Sequence, residues 1–156
     1  MDNGYKTYSE RIKNANPLEL TIINYELLIL ELNNAKTSIL NSPQQNDSLK
    51  KATAFLSELY VSLDINIELA SQLANLFMFV NKKIIHVSFA KTEKEKDALL
   101  NDALSIVSGL LSTWQSLTHD FDVFLRSTER LSGFTYDKDG NIADFESTNP
   151  SSDYSI

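Results

Sequence analysis

The sequence predicts an all-α fold, an antiparallel up-down four-helix bundle with a short N-terminal arm and a C-terminal extension. Three observations carry this. Apolar residues recur at i, i+3, i+4 and i+7 through most of the chain. There are only 4 glycines and 3 prolines in 156 residues, too few for a turn-rich β protein. The periodic stretches are joined by short polar links, which make successive helices antiparallel neighbours. The expected divisions are an arm at 1–15, a bundle at 16–131 and an extension at 132–156.

Residues 1–15 are polar, with apolar points at Tyr5, Tyr8 and Ile12. They read as a mobile tail or a short arm lying on the bundle. The first helix spans 16–39. Asn16 suits an N-cap, Pro17 the first helical position, and Glu19 a capping box. Pro43 opposes its extension. This helix carries two apolar rows. One is Leu18, Ile22, Tyr25, Ile29, Leu32 and Ile39; the other is Leu20, Ile23, Leu27 and Leu30. A helix with one buried face needs only one row. It is therefore packed on two sides, or it offers a groove to a partner.

A polar connector at 41–46 leads to a second helix, with Asp47 as N-cap and its end at Leu63. Its row is Leu49, Ala52, Leu56, Leu59 and Leu63. After a break at 64–68, the third helix shows Leu69, Leu73, Leu76, Val80, Ile84 and Val87 on one face. Met78, Ile85 and Phe89 lie on another, again more than one neighbour requires. Thr92 and Glu95 form a capping box for the fourth helix. That helix carries Leu99, Ala103, Val107, Leu110, Trp114, Leu117 and Phe121, and ends near Leu125 or Leu131.

The segment GFTYDKDGNIADF alternates aromatic and polar residues around Asp139-Gly140, a hairpin signal. It also matches a calcium loop in part, counted from Thr135, with Asp137, Asp139, Gly140, Ile142 and Glu146 in place. Thr135 stands where that loop wants a carboxylate, and Asn149-Pro150 blocks an exiting helix. A plain hairpin is the favoured reading, ahead of a calcium site or an unstructured tail.

Apolar residues make up 42% of the chain and charged residues 22%, which suits a single domain with a real core. The chain has no cysteine, so disulfides, thiolate metal sites and thiol catalysis are excluded. A net charge of −7, without a basic stripe, argues against nucleic acid. No apolar run is long enough to span a membrane, and MDNGYKTYSERIK lacks a signal-peptide core. The expected location is the cytoplasm.

Catalytic chemistry finds little support. His86 and His119 have no partner at ligand spacing, so they read as structural or surface residues and no metal site is expected. There is no glycine-rich phosphate loop and no nucleophile elbow. Glu26, Glu31 and Glu58 sit at spacings typical of solvated faces. The chain reads as a non-enzyme without a cofactor. Its surplus stripes are core, or a groove into which a partner lays an apolar face; Met78 and Phe79 suit such an adaptable surface.

These motifs together resemble the FliS family of flagellar export chaperones. The family's helix-opening signature stands here as Asn16-Pro17-Leu18-Glu19-Leu20, Ile22-Ile23 and Tyr25-Glu26, with an upstream tyrosine at Tyr8. Its next helix ends here as Glu58-Leu59 and Ser62-Leu63-Asp64. Glu68, Ala70, Leu73, Leu76 and Lys82-Lys83 match the third helix, and Leu110-Leu111 with Trp114 the fourth. The likeness covers roughly residues 5–118. Leu18 stands where glycine is common, Glu26 replaces Asp, and an aliphatic follows where a small residue is usual; these departures bear on groove shape.

The resemblance implies a cytoplasmic bundle that binds the disordered C-terminal segment of flagellin. Binding would prevent premature polymerisation and keep flagellin export-competent, with the N-terminal arm lying over part of the same surface. A client that loses ordering entropy needs a long apolar track. Tyr8, Ile22, Tyr25, Met78 and Phe79 are the expected flagellin-binding residues. The export machinery is a further candidate partner; nucleic acid and membrane insertion are not expected. The alternative is a self-associating structural or signalling bundle with no flagellin client.

Overall fold

The computed structural model describes residues 2–63 and 68–131, with side chains at 5–63 and 68–120. The described residues contain five helices: α1 (Asp2–Lys13), α2 (Pro17–Thr37), α3 (Pro43–Val61), α4 (Glu68–Val87) and α5 (Glu93–Leu131). The expected count of four is corrected, because the arm is itself helical. The hairpin and the calcium-loop comparison fall at 132–156, outside the described residues. The chain forms two compact units, residues 1–115 and 116–156. The first is described below; the described part of the second is the helical stretch 116–131.

α2 begins as its sequence dictates. Asn16 Oδ1 accepts from the Glu19 amide at 2.8 Å, and Glu19 Oε1 accepts from the Asn16 amide at 2.9 Å. This reciprocal pair satisfies two amides that have no partner within the helix. At the far end the expected connector is too long. Pro43 does not merely end one helix; it opens the next, at the first turn of α3 behind Ser42 as N-cap. A proline suits that place because the amide it lacks would have had no helical partner. The connector is therefore 38–42. Asn41 takes a positive φ of 65°, a conformation asparagine tolerates better than most residues. At α5, Thr92 Oγ1 accepts from the Glu95 amide at 3.0 Å, while the Glu95 carboxylate reaches the Lys91 amide rather than that of Thr92.

The helices pair antiparallel. Residues 46–53 of α3 face 84–88 of α4, and residues 53–60 face 77–81. In the same sense, Ser38 and Leu40, just beyond α2, meet Lys96 and Glu93 of α5, and Tyr25 meets Trp114. The core is a continuous apolar cluster that includes Tyr25, Leu28 and Leu32 of α2, Leu49, Leu56 and Leu59 of α3, Phe77, Val80 and Ile84 of α4, and Leu100 and Val107 of α5. Each such side chain contributes roughly 1.5–3 kcal/mol on leaving water.

One charged cluster ties the connector to α5. Lys96 is fully buried and pairs with Glu93 at 2.7 Å while donating to the Ser38 carbonyl. Glu93 also accepts from the Leu40 amide at 2.9 Å. These donors hold its carboxyl below the usual range, Lys96 most of all. The lysine so satisfies an α2 terminal carbonyl where a cation is favoured by the helix dipole.

Candidate functional site

α4 has more apolar surface than the core uses. Its buried row is Ala70, Ala74, Phe77, Val80, Ile84 and Val87. The expected row placed Leu69 and Leu76 inside, yet they are exposed. Alanines at 70 and 74 have little side chain to fill space, so neighbouring helices can approach there and the leucines fall to the flanks. Met78 (60% exposed), Phe79, Ile85 and, in the turn beyond, Phe89 (71%) are also open.

Met78 and Ile85 border a groove between α3 and α4. Its first cleft, about 290 Å³, is lined by Leu56, Tyr60, Phe77 and Met78 with Thr53 and Asn81. The next, about 280 Å³, shares Thr53 and is lined by Leu49, Lys50, Ile84 and Ile85. Together they form a track along the helix pair, mainly apolar in the first cleft and mixed in the second, where Asn46 and Ser88 also line it. Phe79 lies on another flank, beneath the Lys83 ammonium at 4.9 Å from its ring centre; Lys83 in turn pairs with Asp102 of α5 at 3.1 Å.

α2 shows the opposite outcome. Both apolar rows are buried along their middle, while Leu20 at the start of one and Ile39 at the end of the other are exposed. Tyr25 is 1% exposed, packed at 6.3 Å from the rings of Phe77 and Trp114, and its hydroxyl accepts from Trp114 Nε1 at 3.0 Å. Burial pushes its phenol up to about 12, with the Trp114 bond opposing.

The other side of α2 is met by α1. Arg11 bonds both oxygens of Glu26, at 2.5 and 3.2 Å, and Tyr5 donates to Glu31. These pairs make α1 antiparallel to α2. On a helical wheel Ile23, Leu27 and Leu30 lie between Glu26 and Glu31, so the second row is the one under α1. Tyr5 and Tyr8 are half-buried there, and Ile12 stays exposed. Tyr8 titrates above its ordinary value, through burial first and the Glu26 carboxylate second.

The five expected contact residues thus occupy different places. Met78 borders the α3/α4 groove and Phe79 the flank turned to α5. Ile22 and Tyr25 are buried on α2, and Tyr8 lies at the α1/α2 contact. Sequence reasoning missed Tyr60, which lines the groove from the end of α3. It also placed Glu31 on a solvated face, and the structure corrects this: Glu31 is 2% exposed. Its position between Leu28, Leu32 and Ala35, at helical spacings, was the available signal. Among the described residues no group of acidic, histidine or cysteine side chains could hold a metal ion, and no helix is long and apolar enough to cross a membrane.

Comparison with known proteins gives one family. The family model described as Flagellar protein FliS matches residues 1–120, which takes in all of α1 to α4 and most of α5. No curated protein matches the chain.

Proposed function

The chain belongs to the FliS family of flagellar proteins, and from that premise we propose that it is a cytoplasmic export chaperone for flagellin. In this reading the disordered C-terminal segment of flagellin lays its apolar side chains along the bundle, which prevents premature polymerisation and keeps the client export-competent. The protein acts by binding, without catalysis. The observation that carries the proposal is the apolar surface left open on α4 beside the α3/α4 groove. A disordered client needs such a track to offset the entropy it loses on ordering.

Met78, with Tyr60 and Ile85, touches the client directly. Phe79 extends the track along the other flank of α4. Tyr25 and Ile22 support the surface from within, and Tyr8 belongs to an arm whose departure would open the second row of α2. The client then has two apolar strips, one open and one covered by α1.

Co-purification of the full-length chain with the C-terminal segment of the host flagellin tests this, with light scattering of the chain alone and of the mixture. A discrete complex larger than the free chain is expected. A chain that associates only with itself and ignores the segment would replace the proposal with the self-associating bundle.

A further inference from the structure

Glu31 is a carboxylate removed from water whose partners in the described structure are neutral. It accepts from the Tyr5 hydroxyl and from Asn34 Nδ2 at 3.3 Å. Beside it lies a half-open cleft of about 350 Å³ lined by polar and charged side chains, among them Asn34, Thr37, Ser48, Asp47 and Lys51. The cation that lines the same cavity, Lys51, pairs with Asp47 at 3.2 Å and lies over the Tyr5 ring, and among the described residues it makes no direct ion pair with Glu31. A buried carboxylate held only by neutral donors lacks the countercharge that would stabilise it most. Tyr5 is its link to α1, and the cavity holds space the phenol does not fill.

Resting on the chaperone reading above, we propose that Glu31 and its cavity form a subsite for a basic side chain of the client, which replaces Tyr5 when the client displaces α1. A lysine or arginine is long enough to enter the cavity. Its donors would face Glu31, with the carbonyl-type and hydroxyl oxygens of Asn34, Thr37 and Ser48 to accept the rest. α1 supplies the register. Arg11, six residues after Tyr5, reaches Glu26, so a helical client segment in the same place presents a second cation about 9 Å farther along. The covered strip of α2 is thus an apolar row edged by two carboxylates, and it selects amphipathic segments with basic residues six apart.

The full-length chain carrying Tyr5→Phe, which frees Glu31 from α1, is compared with Tyr5→Phe/Glu31→Gln for binding of the host flagellin C-terminal segment by calorimetry. Glutamine keeps the shape and an acceptor but removes the charge. The double variant should bind at least about tenfold more weakly, the scale of one charge-assisted hydrogen bond. The deficit should vanish when the segment's lysines and arginines are replaced by glutamine. Equal affinity of the two variants would overturn the basic subsite and leave the chaperone reading intact. No binding by any variant would overturn both. If the double variant does not fold, Tyr5→Phe alone is titrated with the segment and with the segment whose lysines and arginines are replaced by glutamine, and equal affinity of the two segments overturns the basic subsite.

Discussion

α2 and α4 are nearly the same length, 21 and 20 residues, and both carry more apolar residues than one neighbour can cover. Their surpluses meet different fates. On α2 one row faces Phe77 and Trp114 and the other lies under α1, so almost nothing apolar is left open. On α4 the flanks either side of the buried row remain in water, from Leu69 to Ile85. Apolar content alone does not separate core from docking surface; the neighbours do. The cover on α2 is also of a special kind. α1 has a polar sequence and is held through Tyr5 and Arg11. Burial of the second α2 row is conditional on a helix that contributes little core of its own, whereas the exposure on α4 does not depend on α1.

The sharpest way to break this contrast is at the row of α2 that faces inward. Leu28 is completely buried. Leu28→Ala should cost about 3 kcal/mol of stability by leaving a cavity in the cluster, read as a lowered denaturant midpoint. The matching truncation on an open flank of α4, Ile85→Ala, should cost far less. Equal losses would mean that the flank is core and that the two helices do not differ.

Removing residues 2–13 tests the conditional cover. The remaining helices should stay folded, because the core cluster contains no residue of α1. The loss should be about 1–2 kcal/mol, from the half-buried tyrosines and the Arg11–Glu26 pair. Binding of an apolar dye should rise as Ile23, Leu27 and Leu30 open, and affinity for the flagellin segment should increase. Loss of cooperative unfolding would place α1 in the core.

Met78→Asp probes the open surface of α4. Met78 is mostly exposed, so stability should change by no more than about 0.5 kcal/mol. Affinity for the flagellin segment should fall about tenfold, since a carboxylate would be desolvated in the groove. An unchanged affinity removes Met78 from the client track.

Much of the fold, though not this contrast, is legible in the sequence. The two rows of α2 and its capping box follow from residue spacing, as does the α3 row Leu49, Ala52, Leu56 and Leu59. The all-helical class follows from scarce glycine and short links. What spacing cannot give is which of several apolar rows wins the core. Leu69 and Leu76 looked better than Ala70 and Ala74, but small residues permit close helix packing, and that depends on the partner helix. Glu31 was misread for the same reason. Its burial is caused partly by Tyr5, 26 residues away, and a local window does not contain α1. Pro43 opposes extension of the helix before it, but the Ser42 cap makes it equally the start of the next, and a stop signal alone does not show that.

The smallest expected effect concerns the hydroxyl at the centre of α2. Tyr25→Phe keeps the ring against Phe77 and Trp114 and removes only the acceptor of the Trp114 indole N–H. At neutral pH the cost should be about 1 kcal/mol. The pH profile then separates the hydrogen bond from the packing. In the unfolded chain Tyr25 loses its proton near the ordinary value of 10.0, while in the fold it keeps the proton to about 12. Between those values the folded state holds more protons than the unfolded state, so the stability tied to this group is complete below about pH 10 and is lost as pH rises toward about 12. Phenylalanine has no proton to lose, so the variant should lose less stability over that window and the gap between the two proteins should close. Tyr8 is common to both proteins and cancels in the difference. Chemical denaturation at pH 8, 10 and 11 measures it. Parallel profiles would show that the phenol of Tyr25 is not shielded in the fold, and would remove the inner row of α2 from the buried side of the comparison.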